Sequence, residues 1–171
     1  MTHDETLTYA LNFLSDNPAG MKDHARIARE VRYARKLKFE PLSKFSTVFS
    51  RRYCRLAYNW KDWTDQTPQP VKCFAQVASL VHEATHCMQR DGVGDVSFNA
   101  SYLFTDSSRF RFECEGYGAQ AKYFRAFFGM SLSQTLPYYE MLGQLLADHY
   151  LLASEYTKER CTDGIIAASN L

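Results

Sequence analysis

His82, Glu83 and His86 lie in Val81-His82-Glu83-Ala84-Thr85-His86, an HExxH spacing inside a stretch that reads as one long helix. Residues four apart on a helix share a face, one turn apart. Two imidazoles placed this way can bind one zinc ion, and the glutamate between them can activate a water held by the metal. The chemistry to which the spacing points is metal-assisted hydrolysis, with a peptide bond as the first substrate to consider.

The helical phase bears on this. At about 100° per residue, the segment Val71 to Arg90 places Cys73, Phe74, Val77, Ala78, Val81, Ala84, Thr85 and Met88 on one broad arc. The opposite arc carries Lys72, Ala75, Gln76, Ser79, His82, Glu83, His86 and Arg90. A histidine kept for core packing belongs on the apolar arc, and neither of these does. They face a surface or cleft, and a solvated polar face is the plain alternative.

A catalytic zinc site needs a third protein ligand and an open fourth position. Gln89 and Gly92 stand three and six residues after His86, where a metzincin would have Gly and His, and the only histidine downstream is His149. Carboxylates are the better source, and Glu113 and Glu115 are the two at hand. With Ser108 to Phe128 taken as a helix, Glu113 shares a face with Phe110, Tyr117, Ala121, Phe124 and Phe128. Glu115 lies with Arg111, Gly118, Lys122 and Arg125, where an exposed acid one turn from Arg111 is explanation enough. An ionised Glu113 on an aromatic face is costly unless a cation meets it. A metal would do so, and Arg109 is the competing partner. The wheel therefore favours Glu113, with Glu115 as the alternative.

HExxH on one helix with a glutamate ligand on a later helix resembles the gluzincin type of zincin-like metallopeptidase, in its small bacterial or phage-type forms. The segment Glu113-Cys114-Glu115-Gly116-Tyr117 is similar to the Glu-x-Glu-Ala-(Asp/Asn/Tyr) form of that second helix, in which the first Glu is the ligand. The resemblance covers Val71 to Arg90 and Arg109 to Ala121. It departs at Gly116, where Ala is usual, and at Tyr117, where many families carry an acid that buttresses the first histidine. It implies one zinc per chain held by His82, His86 and Glu113, with Glu83 as general base. The tetrahedral oxyanion then needs a further donor, for which Tyr102, Arg109, Tyr117 and His149 are candidates. His149 sits with Tyr138, Leu142, Leu145, Leu146 and Leu152 on one helical face, where a core histidine is the plainer reading.

The elements that must position these residues follow from periodicity and breakers. Asp4 to Ser15 and Met21 to Lys38 read as helices, separated by Asn17-Pro18-Ala19-Gly20. Phe45 to Phe49 and Tyr53 to Tyr58 read as short strands, the second as the edge along which substrate would lie in the resemblance. Thr67-Pro68-Gln69-Pro70 starts the HExxH helix and Asp91-Gly92-Val93-Gly94 ends it. Val96 to Phe104 is expected to be extended, and Leu136 to Lys158 to form a closing helix. The expected class is α+β and helix-rich: one zincin-like domain over 1–171 with a small antiparallel or mixed sheet. Within it, 1–70 supplies helices and strands, 71–130 the metal-site helices and 131–171 the C-terminal helices.

The 171 residues suffice for a sizeable core, and 12 Phe and 11 Tyr mark a folded protein. No apolar run approaches the ~20 residues of a membrane span, and Met1-Thr2-His3-Asp4-Glu5 is unlike a signal peptide. The expectation is a cytoplasmic protein with no membrane contact, with export by a route that needs no leader left open. The five cysteines are odd in number and form no CxxC pair, which argues against a thiolate zinc ribbon and for reduced thiols. Cys87 and Cys114 each follow a proposed ligand, so a disulfide between them is the alternative. Net charge is only +1, yet residues 22–55 hold eleven Lys/Arg against three acids. A solvated basic face accounts for this, and nucleic acid or an acidic partner is the other reading. Three classes follow: a zinc hydrolase of a peptide, protein or peptidoglycan-like amide; a zinc-binding regulatory module; and a metal-free protein working through its basic 22–55 region.

Overall fold

The computed structural model describes residues 3–17, 20, 25–26, 29, 45–49, 54–58, 70–150 and 152–170. In chain order the elements are α1 (His3–Asp16), β1 (Phe45–Phe49), β2 (Cys54–Tyr58), α2 (Pro70–Val93), α3 (Asp95–Phe104), α4 (Asp106–Phe127), α5 (Leu132–His149) and α6 (Lys158–Ser169). This is a helical fold, which overturns the expected α+β class. The two short strands pair antiparallel, Phe45 opposite Tyr58 and Phe49 opposite Cys54, as an isolated ribbon beside α2. Among the described residues no larger sheet forms. Most of the expected helix over Met21–Lys38, Tyr53 of the expected edge strand, and most of the basic 22–55 region lie outside them. Arg26, which is described, pairs with Asp91 near the end of α2. No described helix is long and apolar enough to cross a membrane.

Two further expectations are corrected. Val96 to Phe104 is helical, because its apolar residues Phe98 and Tyr102 fall four apart and Gly94 supplies the turn that starts a new helix. Gly94 has φ 83°, a left-handed conformation open to glycine at little cost. Its N–H donates to Arg90 O at 2.7 Å and its carbonyl accepts from Phe98 N at 2.9 Å, so one residue closes α2 and opens α3. The expected closing helix over Leu136–Lys158 is two helices. α5 ends at His149, and α6 starts afresh where the Thr157 side chain accepts from Arg160 N.

The main core lies where α4, α5 and α6 meet: Cys114, Tyr117 and Ala121 from α4, Tyr139, Leu142 and Leu146 from α5, Cys161 and Ile165 from α6, and Tyr156 before it. Glycines let the backbones close up. A Cβ on Gly118 would stand 2.9 Å from Ala168 Cβ and from Ser169 N, and one on Gly143 would stand 2.2 Å from Thr162 Oγ1 and 2.9 Å from Thr162 N. An aromatic group of Phe13, Tyr123 and Phe127 fastens α1 to α4. α2 and α4 pack against each other along much of their lengths, and this pairing brings the HExxH helix to Glu113. Cys114 and Cys161 are buried free thiols, so Cys87 and Cys114 form no disulfide.

Gly143→Ala decides whether α5 and α6 are this close. Helix propensity alone would favour Ala by about 1 kcal/mol, whereas overpacking costs about 1–3 kcal/mol. The expected result is a lower urea midpoint; an unchanged or higher one would show that the helices do not meet at Gly143.

Candidate metal centre

Residues 82, 83 and 86 lie on the face of α2 that α4 covers, so this part of the polar arc is not a solvated face. His82 is 5% exposed, His86 7% and Glu113 1%. The two Nε2 atoms are 2.9 Å apart. Glu113 reaches both, with Oε2 3.2 Å from His82 Nε2 and Oε1 3.3 Å from His86 Nε2. One ligand atom from each of the three lies within 4.8 Å of the others.

These spacings fit a metal ion. Ligands ~2.0–2.1 Å from zinc at tetrahedral angles stand ~3.3 Å apart. Two ring nitrogens and a carboxylate meeting at this range are three electron-rich groups, and a shared cation is what makes their convergence favourable. Glu113 Oε2 is buried and accepts no hydrogen bond, while Oε1 accepts one from the Tyr102 hydroxyl. Oε2 is therefore the oxygen left for an ion.

Gln89 holds His86 in place. Its Nε2 donates to Phe112 O at 3.0 Å and to Glu115 Oε2 at 2.8 Å, and its Oε1 lies 2.7 Å from His86 Nδ1. A flipped amide would set its oxygen against two acceptors, so the orientation is fixed and Nδ1 must carry the hydrogen. Nε2 is then the ring atom free to ligate. Glu115, the alternative ligand, acts through Gln89 instead and does not join the three-residue cluster. His82 is held by packing: the Tyr117 ring lies 4.3 Å away between centroids, and His82 Nδ1 makes no hydrogen bond. A Cβ on Gly116 would come within 3.0 Å of His82 Cε1 and Nδ1. The ring lies against the space that a side chain at 116 would take.

A cavity of about 280 Å³ opens on these groups, lined by His82, Glu83, His86, Arg90, Phe98, Tyr102, Glu113 and Tyr150. Glu83 is half-buried in its wall. Tyr102 stacks on Phe98 at 5.6 Å. Arg109 stands outside the lining, donating from Nε to Tyr102 O at 2.8 Å, from Nη2 to Leu103 O at 2.9 Å and from Nη1 to Tyr150 O at 3.0 Å. It clamps the backbone and does not pair with Glu113. Tyr117 lies behind the lining, its hydroxyl 2.9 Å from that of Tyr150. His149 is exposed at the end of α5, neither in the core nor at the site. Sequence reasoning missed Gln89, Phe98 and Tyr150; Gln89, three residues past His86, was the one with a readable spacing.

Burial by itself would lower the pKa of His86, but the hydrogen bond and charge of Glu113, with help from Glu83 and Gln89, raise it to about 9. Burial likewise pushes Glu113 up, and the two histidines override it and hold the carboxyl well below its ordinary range. Without metal the centre is thus an ion pair. Burial pushes the Tyr117 phenol up to about 12, and burial with the Glu113 charge raises Tyr102 and Tyr150 too, so all three stay protonated near neutral pH.

No family model, curated protein or solved structure matches this chain.

Two outcomes are expected. Gln89→Leu should weaken zinc binding by about 10–100-fold in a competition titration with a chromogenic chelator; unchanged affinity would remove Gln89 from the centre. In protein stripped of metal, the raised His86 pKa gives stability that is complete below 6.5 and is lost as pH rises through about 9. The thermal midpoint should fall across that window, and saturating zinc should abolish the fall, because the ion replaces the proton. A metal-free midpoint that is flat or rises there would contradict the ion pair.

Proposed function

We propose that this protein is a zinc-dependent metallohydrolase that cleaves peptide bonds, with Glu83 as its general base. The observation that carries this reading is the convergence of His82, His86 and Glu113 on one wall of a cavity that also holds Glu83. Three protein ligands beside an open cavity are the arrangement of a catalytic zinc, whereas a structural zinc is closed by four. The resemblance of the HExxH and Glu113–Tyr117 segments to the gluzincin pattern supports the same ligand set.

A bound zinc ion would supply Lewis-acid chemistry, polarising a carbonyl and lowering the pKa of a water toward about 7. The chain's own groups do the rest. His82, His86 and Glu113 hold the ion, with Gln89 orienting His86 and Tyr102 orienting Glu113. Glu83 takes a proton from the attacking water as its oxygen bonds to the carbonyl carbon. It passes that proton to the amide nitrogen as the C–N bond breaks, which leaves a carboxylic acid and an amine. The substrate is a peptide or protein segment whose scissile amide enters the cavity beside Phe98 and Tyr102.

Glu83→Gln separates this reading from a zinc-binding module without catalysis. The variant should keep about one zinc per chain by elemental analysis and lose peptide hydrolysis by roughly 10²–10⁴-fold. Zinc retained with hydrolysis unchanged would exclude Glu83 as the base. No zinc taken up by wild type would exclude the metallohydrolase itself.

A further inference from the structure

A carbonyl that becomes tetrahedral in this cavity develops negative charge on its oxygen, and a donor already in place stabilises that charge more than water does. The groups suggested by the sequence are committed elsewhere. The Tyr102 hydroxyl is directed at Glu113, Arg109 donates to three carbonyls, Tyr117 lies behind the lining, and His149 is exposed. Tyr150 does line the cavity, together with His82, Glu83, His86 and Glu113. It is the first residue past α5, where the helix stops and the chain turns. Its carbonyl is fixed by Arg109 at 3.0 Å and its hydroxyl by Tyr117 at 2.9 Å.

Either hydroxyl can donate in that contact, and burial favours Tyr117. Tyr117 is 9% exposed, and its oxygen has no other acceptor among the described residues. If Tyr150 were the donor, the Tyr117 proton would be buried without an acceptor, at a cost of about 1–3 kcal/mol. With Tyr117 as the donor, the proton of Tyr150 is left for an acceptor in the cavity.

We propose that Tyr150 is a catalytic residue, the hydrogen-bond donor to the carbonyl oxygen as that oxygen becomes anionic, and that Tyr117 and Arg109 are its positioning residues. The proposal rests on the metallohydrolase reading. As water adds to the carbonyl carbon, the C=O π pair moves to oxygen, and Tyr150 shares its proton without giving it up. When the C–N bond breaks the pair returns, and the proton held by Glu83 goes to nitrogen.

The test compares zinc-loaded wild type, Tyr150→Phe and Glu83→Gln. A pool of internally quenched peptides reports turnover. Binding is measured to a pool of N-phosphoryl dipeptides, whose tetrahedral phosphoryl oxygens stand in for the oxyanion, and to matched dipeptide hydroxamates, which are planar. Tyr150→Phe should keep wild-type zinc content and KM, lose roughly 10²–10³-fold in kcat, and lose affinity for the phosphoryl compounds only. Equal losses on phosphoryl and hydroxamate compounds, or loss of zinc, would show a structural role and overturn the proposal. Wild-type kcat in Tyr150→Phe with Glu83→Gln silent would overturn Tyr150 alone. An active Glu83→Gln, or wild type silent on the whole pool, would overturn the parent reading and Tyr150 with it.

Discussion

A carboxylate that is 1% exposed keeps its charge in a protein interior only where positive charge or strong donors meet it. Glu113 meets both conditions, through two imidazoles on α2 and one phenol on α3. Much of the architecture can be understood from this. α2 and α4 must pack face to face to bring the three groups together. α3 must turn back at Gly94 so that Tyr102 reaches the carboxylate. The core formed by α4, α5 and α6 then holds the far side of α4 rigid, so that Glu113 keeps its position.

The two histidines are supported unequally. His86 is tied by a chain of hydrogen bonds through Gln89 to Glu115 and the backbone of α4. His82 has no such chain and lies in a slot between the Tyr117 ring and Gly116. One ring is therefore oriented by direction-specific bonds and the other by shape. The absence of a β-carbon at 116 and the aromatic residue at 117 both serve the same ring.

The site was largely legible in the sequence because it is helical and local. The HExxH spacing and the wheel position of Glu113 needed only the 3.6-residue period. What depends on where helices stop was not legible. His149 seemed to lie on a core face because the wheel was carried through to Lys158; the helix ends at His149, and the residue after it faces the cavity. Val96 to Phe104 is dense in β-formers and aromatics, and its four-residue spacing of Phe98 and Tyr102 is a weak sign against that propensity. The expected extended segment failed for this reason: packing on α4 overrode a local preference, while the expected sheet is reduced to the ribbon of β1 and β2. Glu115 misled because its partner, Gln89, is on another helix, and a wheel shows only neighbours on its own.

Arg109 gives the cavity a mechanical property. One guanidinium holds the carbonyls of Tyr102 and Leu103 at the end of α3 and that of Tyr150 beyond α5. Two segments nearly fifty residues apart in sequence are thereby riveted into one jaw. Displacing either alone breaks charge-assisted bonds worth about 1.5–3 kcal/mol each, so the two tyrosines travel together.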